Sequence, residues 1–252
     1  MRNSSNPALK RLKSQTAVGF GTANPATYGG IGLKVFYYLI VTLVAAVGFV
    51  ALFPSLLESN PTLASGLLIG CFIAALVSGI VAAFAPKTSA VSGTIYCVAE
   101  GALVGLISSL FEAVAQGVVI VALLATMLTL AVTALLYFTG VVRVGTKFRR
   151  FIFVALLSLV VSQLAFWLLS LLVPSVGMLY AESFVLQIIV SAVVIVIAAL
   201  TMFVDFDNMT MIVENGLDKS YEWMAAYGLM VTLIWLYIEI LRLVAIIFAH
   251  KD

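Results

Sequence analysis

Charged residues are scarce in this chain. Only 10% of its 252 residues are Asp, Glu, Lys or Arg, whereas 63% are hydrophobic. A soluble domain has about a quarter charged and about half apolar residues, so this chain lacks the polar side chains that would cover a water-facing surface. The composition excludes a soluble globular protein and predicts a polytopic membrane protein.

Histidine and cysteine are nearly absent, which excludes several kinds of catalytic or metal site. The one histidine, His250, lies near the C-terminus, and Cys71 and Cys97 lie in separate apolar segments without metal-ligand spacing. The sequence also lacks a phosphate-binding loop, a His-Glu-x-x-His motif and a Gly-x-Ser-x-Gly motif. We therefore expect no enzyme activity, no catalytic residue, no required cofactor and no nucleic-acid partner. An intramembrane aspartyl protease is the remaining enzyme alternative, although VDFDNM (204–209) lacks the Gly-x-Gly-Asp surroundings of that class.

Long apolar runs make up most of the sequence. Seven of them reach the roughly 20 residues that a spanning helix needs, at 34–54, 64–85, 89–111, 117–139, 150–173, 183–204 and 224–248. The six prolines fall before these runs or at their edges, as expected because proline interrupts helices. We predict an all-α integral membrane protein, with a seven-helix transmembrane domain (34–252) after a flexible cytoplasmic tail (1–33).

Basic residues are distributed unevenly between the two sides that seven alternating spans define. Lys251 alone falls on the side of the C-terminus. The N-terminal side holds Arg2, Lys10, Arg11, Lys13, Lys34, Lys87, Arg143, Lys147, Arg149, Arg150 and Lys219. Because Lys and Arg in short loops mark the cytoplasmic side, the pattern predicts a cytoplasmic N-terminus and an external C-terminus.

Three charged residues, Glu100, Glu239 and Arg242, lie well inside predicted spans, where charge is costly and often marks an ion path. A rise of about 1.5 Å per residue places both glutamates near the middle of a hydrocarbon core about 30 Å thick. Arg242 follows Glu239 by three residues and shares its helix face. One interpretation is a cluster that holds a proton or a cation. The alternative is a neutralised Glu239–Arg242 pair beside a protonated, packed Glu100.

Asp205 and Asp207 end the sixth predicted span, with no basic residue nearer in sequence than Lys219. Clustered carboxylates are typical calcium ligands, although the spacing of an EF-hand loop is absent and a solvated loop is the alternative. By helical rise Asp205 lies roughly half a membrane away from Glu239, which leaves Glu100 as an alternative partner for Glu239.

Three stretches together resemble a known family. They are YCVAEGALVGLISSLFE (96–112), VDFDNMTMIVENG (204–216) and EWMAAYGLMVTLIWLYIEILRLV (222–244). Their acids, their order and the seven predicted spans are similar to those of bacterial members of the Bax inhibitor family, the transmembrane Bax inhibitor motif proteins. The resemblance covers essentially all of the chain beyond the tail.

The resemblance implies a last helix that is central and wrapped by the other six, and a pH-sensitive calcium leak across a bacterial inner membrane. In that family an acidic pair on the sixth and last helices shares a proton and gates the path. Glu239 matches the last-helix acid, and Asp205, with Asp207 as the alternative, matches the sixth-helix acid. These three residues are then candidate calcium ligands, and Glu100 and Arg242 complete the predicted pH-sensing ion path.

A second function from another class is also open. Some relatives of the family are linked to restraint of a membrane quality-control protease, so the chain is alternatively an interaction protein with a membrane protein partner. In that case the polar tail would matter more than the buried acids.

Overall fold

The computed structural model describes residues 24–250, which form eight α-helices. In chain order these are α1 (Tyr28–Ser59), α2 (Pro61–Phe84), α3 (Ser89–Val114), α4 (Val118–Phe138), α5 (Thr146–Leu172), α6 (Pro174–Glu182), α7 (Phe184–Glu214) and α8 (Ser220–Ala249). All except the short α6 are long and apolar enough to cross a membrane. The predicted all-α fold with seven spanning helices is confirmed, and its natural environment is a lipid bilayer.

The helix boundaries follow local sequence signals. Pro61 and Pro174 stand at the start of their helices, where the missing N–H group is no loss. Asn60 and Ser183 accept hydrogen bonds from backbone N–H groups of the following turn. The prediction placed every proline before a span or at its edge. Pro54 instead lies inside α1, because this helix continues past it to Ser59.

Six of the seven spanning helices within residues 24–250 extend beyond the predicted spans at one or both ends. α1 begins six residues earlier than predicted, α7 continues ten residues further, and α8 begins four residues earlier. At the end of α7 and the start of α8 the hydropathy pattern stops at polar residues, whereas the helices continue and residues such as Asp205 and Glu222 find partners inside the protein. Residues 28–33 of the predicted tail therefore belong to α1, and residues 1–23 lie outside the described residues.

α8 is the most buried of the spanning helices. It packs against α1, α2, α3, α4 and α7, while α5 lies against α6 and α7 and does not reach α8 within residues 24–250. The expectation of a last helix wrapped by all six other spans is therefore not confirmed. The helices that pack against α8 nevertheless separate a polar residue on its protein-facing side from lipid.

α1 and α3 approach closely because two glycines of α3 face α1. A Cβ atom at Gly101 would lie 2.6 Å from the carbonyl oxygen of Thr42, and one at Gly105 would lie 2.6 Å from that of Ala46. Glycines four residues apart share one helix face and allow this kind of contact. The contact fixes the position of α3, which carries Glu100.

The basic residues of the described loops lie at one end of the bundle, which we call the basic end. It contains the start of α1 and the connections α2–α3, α4–α5 and α7–α8. The opposite end contains the connections α1–α2 and α3–α4 and the short helix α6.

Candidate functional site

Asp205 is a carboxyl group inside the bundle that has no basic partner among the described residues 24–250. It lies on α7, and the hydroxyl of Thr232 on α8 donates a hydrogen bond to its Oδ2 at 2.7 Å. Gly228, one turn before Thr232, leaves space on the other side, because a Cβ atom there would still be 3.8 Å from Asp205 Oδ1. None of the ion pairs within residues 24–250 includes Asp205. It can therefore exchange a proton or attract a cation without breaking an ion pair.

The Thr232 hydroxyl has two acceptors within reach. Besides Asp205, it lies 3.3 Å from the backbone carbonyl oxygen of Gly228. A hydroxyl has a single proton to donate but can also accept. An ionised Asp205 takes that proton as acceptor, whereas a protonated Asp205 can donate to Thr232 Oγ1 and leave the hydroxyl to Gly228. Protonation thus reverses the hydrogen bond between α7 and α8.

Asp207 lies only two residues further along α7 but is neutralised. Arg149 of α5 contacts its Oδ2 through Nε at 2.9 Å and also through Nη2. The hydroxyl of Tyr137 on α4 donates to its other oxygen at 3.1 Å. Residues two apart on a helix face different directions, so Asp207 joins α4, α5 and α7 and does not face the Asp205–Thr232 bond.

Glu239 and Arg242 form an ion pair on α8. Arg242 Nη2 lies 2.7 Å from Glu239 Oε2, and Arg242 Nε donates to the hydroxyl of Ser191 on α7 at 3.3 Å. The paired oxygen of Glu239 is buried but receives no well-aligned hydrogen bond, so charge attraction holds the pair. Glu239 lies seven residues beyond Thr232, about 10 Å along the helix. Asp205 and Glu239 are therefore not in contact.

The register of α3 against α8 is set by two side-chain contacts. The rings of Tyr96 and Tyr227 meet edge to face with centroids 5.1 Å apart. Further along, the hydroxyls of Ser108 and Tyr237 lie 2.8 Å apart. Both helices run in the same direction, so a residue of α3 lies level with the α8 residue about 130 positions later. Glu100 follows Tyr96 by one turn. It therefore lies level with the part of α8 between Gly228 and Thr232, the two α8 residues near Asp205.

The structure therefore does not bring Glu100 and Glu239 together. By the same register, Glu239 lies about nine residues beyond the level of Glu100, or roughly 13 Å. The predicted common depth is wrong because α8 begins earlier and is longer than the apolar run indicated. Glu100 is instead level with Asp205, on a different face of α8.

A family sequence model described as Bax inhibitor 1 like matches residues 6–249, nearly the whole chain. The chain belongs to the Bax inhibitor 1 like family. This confirms the resemblance of the three quoted stretches, and with the seven apolar helices it makes the chain an integral membrane protein of that family. The comparison with curated proteins found no significant match.

The acids of this Bax inhibitor 1 like chain do not form a resident calcium site within residues 24–250. No group of three Asp, Glu, His or Cys side chains that could hold a metal ion occurs there. Asp205, Asp207 and Glu239 each have their own partner and are held apart. Because calcium takes six to eight oxygen ligands, this set does not fit a tightly bound calcium ion.

Glu222 is the acid whose role the sequence did not reveal. Its position before the last predicted span gives no reason to expect burial, but its side chain in the first turn of α8 is fully buried. It forms an ion pair with Lys34 of α1, and the backbone N–H of Thr27 donates to it at 2.8 Å. Gly30 leaves the space that the carboxylate occupies. An isolated lysine at the start of an apolar span, opposite an acid at a helix start, is the signal that could have found it.

The segment before α1 closes the basic end of the protein. The backbone N–H of Ala26 donates to the carbonyl of Leu217 at 2.8 Å, and that of Lys219 donates to the carbonyl of Asn24 at 3.1 Å. These bonds attach the segment to the α7–α8 connection, directly before the helix that carries Glu222 and Thr232. The start of α1 is thereby fixed to the start of α8.

Proposed function

We propose that this Bax inhibitor 1 like protein is a pH-sensitive calcium leak of a bacterial inner membrane, with Asp205 as its titrating residue. The supporting observation is a carboxyl inside the bundle that is hydrogen-bonded to Thr232 and, within residues 24–250, has no basic partner. Glu239 is a weaker candidate than Asp205 because Arg242 already neutralises it. Calcium and protons are the only ions that the proposal needs, without a cofactor or an enzymatic step.

The ionisation state of Asp205 controls the leak in this proposal. In surroundings of low dielectric constant an ionised carboxylate strongly attracts a cation, whereas a protonated carboxyl does not. Calcium and a proton therefore compete for Asp205. Flux rises as the pH rises and Asp205 loses its proton, and it falls again when acid restores the neutral form. The protein is oriented in this proposal with the basic end and the N-terminus in the cytoplasm, because basic residues in short loops mark the cytoplasmic side.

Calcium flux into proteoliposomes at a series of pH values tests the proposal. Asp205→Asn carries a permanently neutral side chain, so its flux should stay at the low acid level of the wild type throughout. Thr232→Val removes the hydroxyl donor and should move the midpoint of the pH profile to higher pH, because the ionised form loses its hydrogen bond.

Asp218→Asn is the matched control, since it makes the same substitution in the α7–α8 connection. The backbone N–H of Ser220 donates to Asp218 at 2.9 Å and holds the pKa of this carboxyl below its usual range. Asp218 therefore remains ionised across the series, and its variant should show the wild-type profile. A wild-type profile in Asp205→Asn would refute the proposal.

The second candidate function is that of an interaction protein with a membrane protein partner, such as a quality-control protease. The attachment of residues 24–26 to the α7–α8 connection favours it, because this attachment holds the residues that follow the tail at the basic end. Deletion of residues 1–23 keeps that attachment and Thr27. A leak should survive this deletion with its pH profile unchanged, whereas a partnership made by the tail should be lost in co-purification.

A further inference from the structure

A groove of about 900 Å³ runs between α1 and α4, and α3 and α8 form its floor. Apolar side chains such as Leu43, Val47, Ile120 and Leu123 line its two walls. The backbones of α1 and α4 stay apart throughout residues 24–250. At the basic end the rings of Tyr28 and Phe138, with centroids 6.2 Å apart, bridge the two helices. The groove is therefore open sideways, towards the membrane.

The length of the groove along the helices matches the thickness of one leaflet of a bilayer. On α1 it extends from Leu39 to Ala51 and on α3 from Val104 to Ala113, which correspond to about 18 Å and about 14 Å of helix. Half of a hydrocarbon core about 30 Å thick is about 15 Å. The groove thus begins near the middle of the membrane and reaches the surface at the end opposite the basic end.

The polar lining of the groove is concentrated at that surface. Glu112, Ser109 and Gln116 line its outer part, near the end of α3 and the start of α4. The Glu112 carboxylate accepts hydrogen bonds from the backbone N–H groups of Gly117 at 2.6 Å and Val119 at 3.1 Å, which hold it in place. Within the described part of the chain, no Lys or Arg lines the groove, so the charge that these residues give its mouth is negative.

We infer that the groove binds one acyl chain of an ammonium-headed phospholipid, with the ammonium group beside Glu112. An apolar space open to lipid loses dispersion contacts when it is empty and gains them when a hydrocarbon chain fills it. The length of one leaflet suits a single chain, and the negative mouth suits an ethanolamine headgroup better than an anionic one. This binding site is independent of the proposed calcium leak.

The site can be tested in nanodiscs that contain phosphatidylethanolamine with a photoactivatable acyl chain. Cross-linked residues are then identified by mass spectrometry, and we expect them within 39–51 and 119–127. Val47→Trp fills the groove from α1 and should lower the yield there about tenfold, equivalent to about 1.4 kcal/mol of binding. Val44→Trp is its control, because Val44 is as exposed as Val47 (67% and 69%) but does not line the groove.

A second pair of variants, on α4, tests the opposite wall of the groove. It shows whether a lower yield in Val47→Trp results from a filled groove or from a folding defect. Ile120→Trp should lower the yield as Val47→Trp does, and Leu124→Trp should not, since their exposures are 63% and 67% but only Ile120 lines the groove. Variants are compared after each gives the wild-type elution volume in size-exclusion chromatography. Cross-linking that Val47→Trp and Ile120→Trp leave unchanged would overturn the inference.

The headgroup is tested by repeating the cross-linking with phosphatidylglycerol. The wild type should prefer phosphatidylethanolamine, Glu112→Gln should lose the preference, and Glu58→Gln should keep it. Glu58 is an exposed acid at the same end of the protein that does not line the groove. Equal yields for the two lipids in the wild type would contradict the assignment of an ammonium headgroup.

Discussion

The partner of each acidic residue determines what that residue can do. Asp207 and Glu239 have arginine partners, and Glu222 has a lysine partner. Among residues 24–250, the side-chain partner of Asp205 is the hydroxyl of Thr232, and no ion pair there includes Asp205. Neutralised acids hold helices together, whereas an acid without a counter-charge can change its protonation state at lower cost. At the scale of single residues, Asp205 is therefore the best candidate for pH sensing.

The buried ion pair between Glu222 and Lys34 leads to a prediction about stability at the same scale. Glu222→Gln or Lys34→Met alone leaves one buried member of the pair without its counter-charge, and each should lower the free energy of unfolding by about 1–3 kcal/mol. The double variant should be more stable than either single variant, because no unpaired charge remains. Thermal unfolding in detergent, followed by circular dichroism, measures these differences.

Glu214→Gln is the control for this pair. Glu214 ends α7 with an exposed side chain and takes part in none of the ion pairs within residues 24–250. Its replacement should leave the unfolding temperature unchanged. Single variants as stable as the wild type would show that the buried pair contributes nothing to folding.

The sequence singled out individual acids but did not predict their partners. Asp205, Glu239 and Arg242 stand out because they interrupt apolar runs. Thr232 does not stand out, since a threonine is common in a membrane helix. Register could have indicated it: in an antiparallel helix pair, residues at similar distances from the connecting loop meet. Asp205 lies nine residues before the end of α7 and Thr232 twelve after the start of α8, whereas Glu239 lies nineteen after it.

At the scale of helices, the contact between α1 and α3 depends on the absence of a side chain. Gly105→Ala places a Cβ atom against the Ala46 backbone, which cannot move aside as a flexible side chain could. It should destabilise the protein by about 1–3 kcal/mol. Gly48→Ala on α1 is the control, since nothing lies within 4 Å of its added Cβ, and its unfolding temperature should be unchanged or higher.

The ends of the helices were less predictable than their existence. All seven apolar runs correspond to helices, but hydropathy stopped short at the start of α1, the end of α7 and the start of α8. At the end of α7 and the start of α8, polar residues continue the helix and bind residues distant in sequence, as Glu222 binds Lys34. Such tertiary pairs have no local signal. The predicted depth of Glu239 was wrong because α8, with its 30 residues, is about 45 Å long and exceeds the hydrocarbon core of about 30 Å.

At the scale of the whole molecule, the polar contacts are concentrated towards the basic end. The segment before α1, the Lys34–Glu222 pair and the Arg149–Asp207 pair all join neighbouring elements there. The Asp205–Thr232 bond lies further along α8, between this closed end and the Glu239–Arg242 pair. A change in the Asp205–Thr232 hydrogen bond can therefore alter the packing of α8, the most buried helix, against its neighbours.

The pH profile of calcium flux in Asp205→Asn proteoliposomes is the most direct test of this assignment. It should be measured from about pH 5 to about pH 9, a range that includes ordinary carboxyl groups and those shifted by burial. We predict that wild-type flux rises with pH and that Asp205→Asn stays at the acid level. A wild-type profile in Asp205→Asn, together with a flat profile in Glu239→Gln, would contradict it and assign the titration to Glu239.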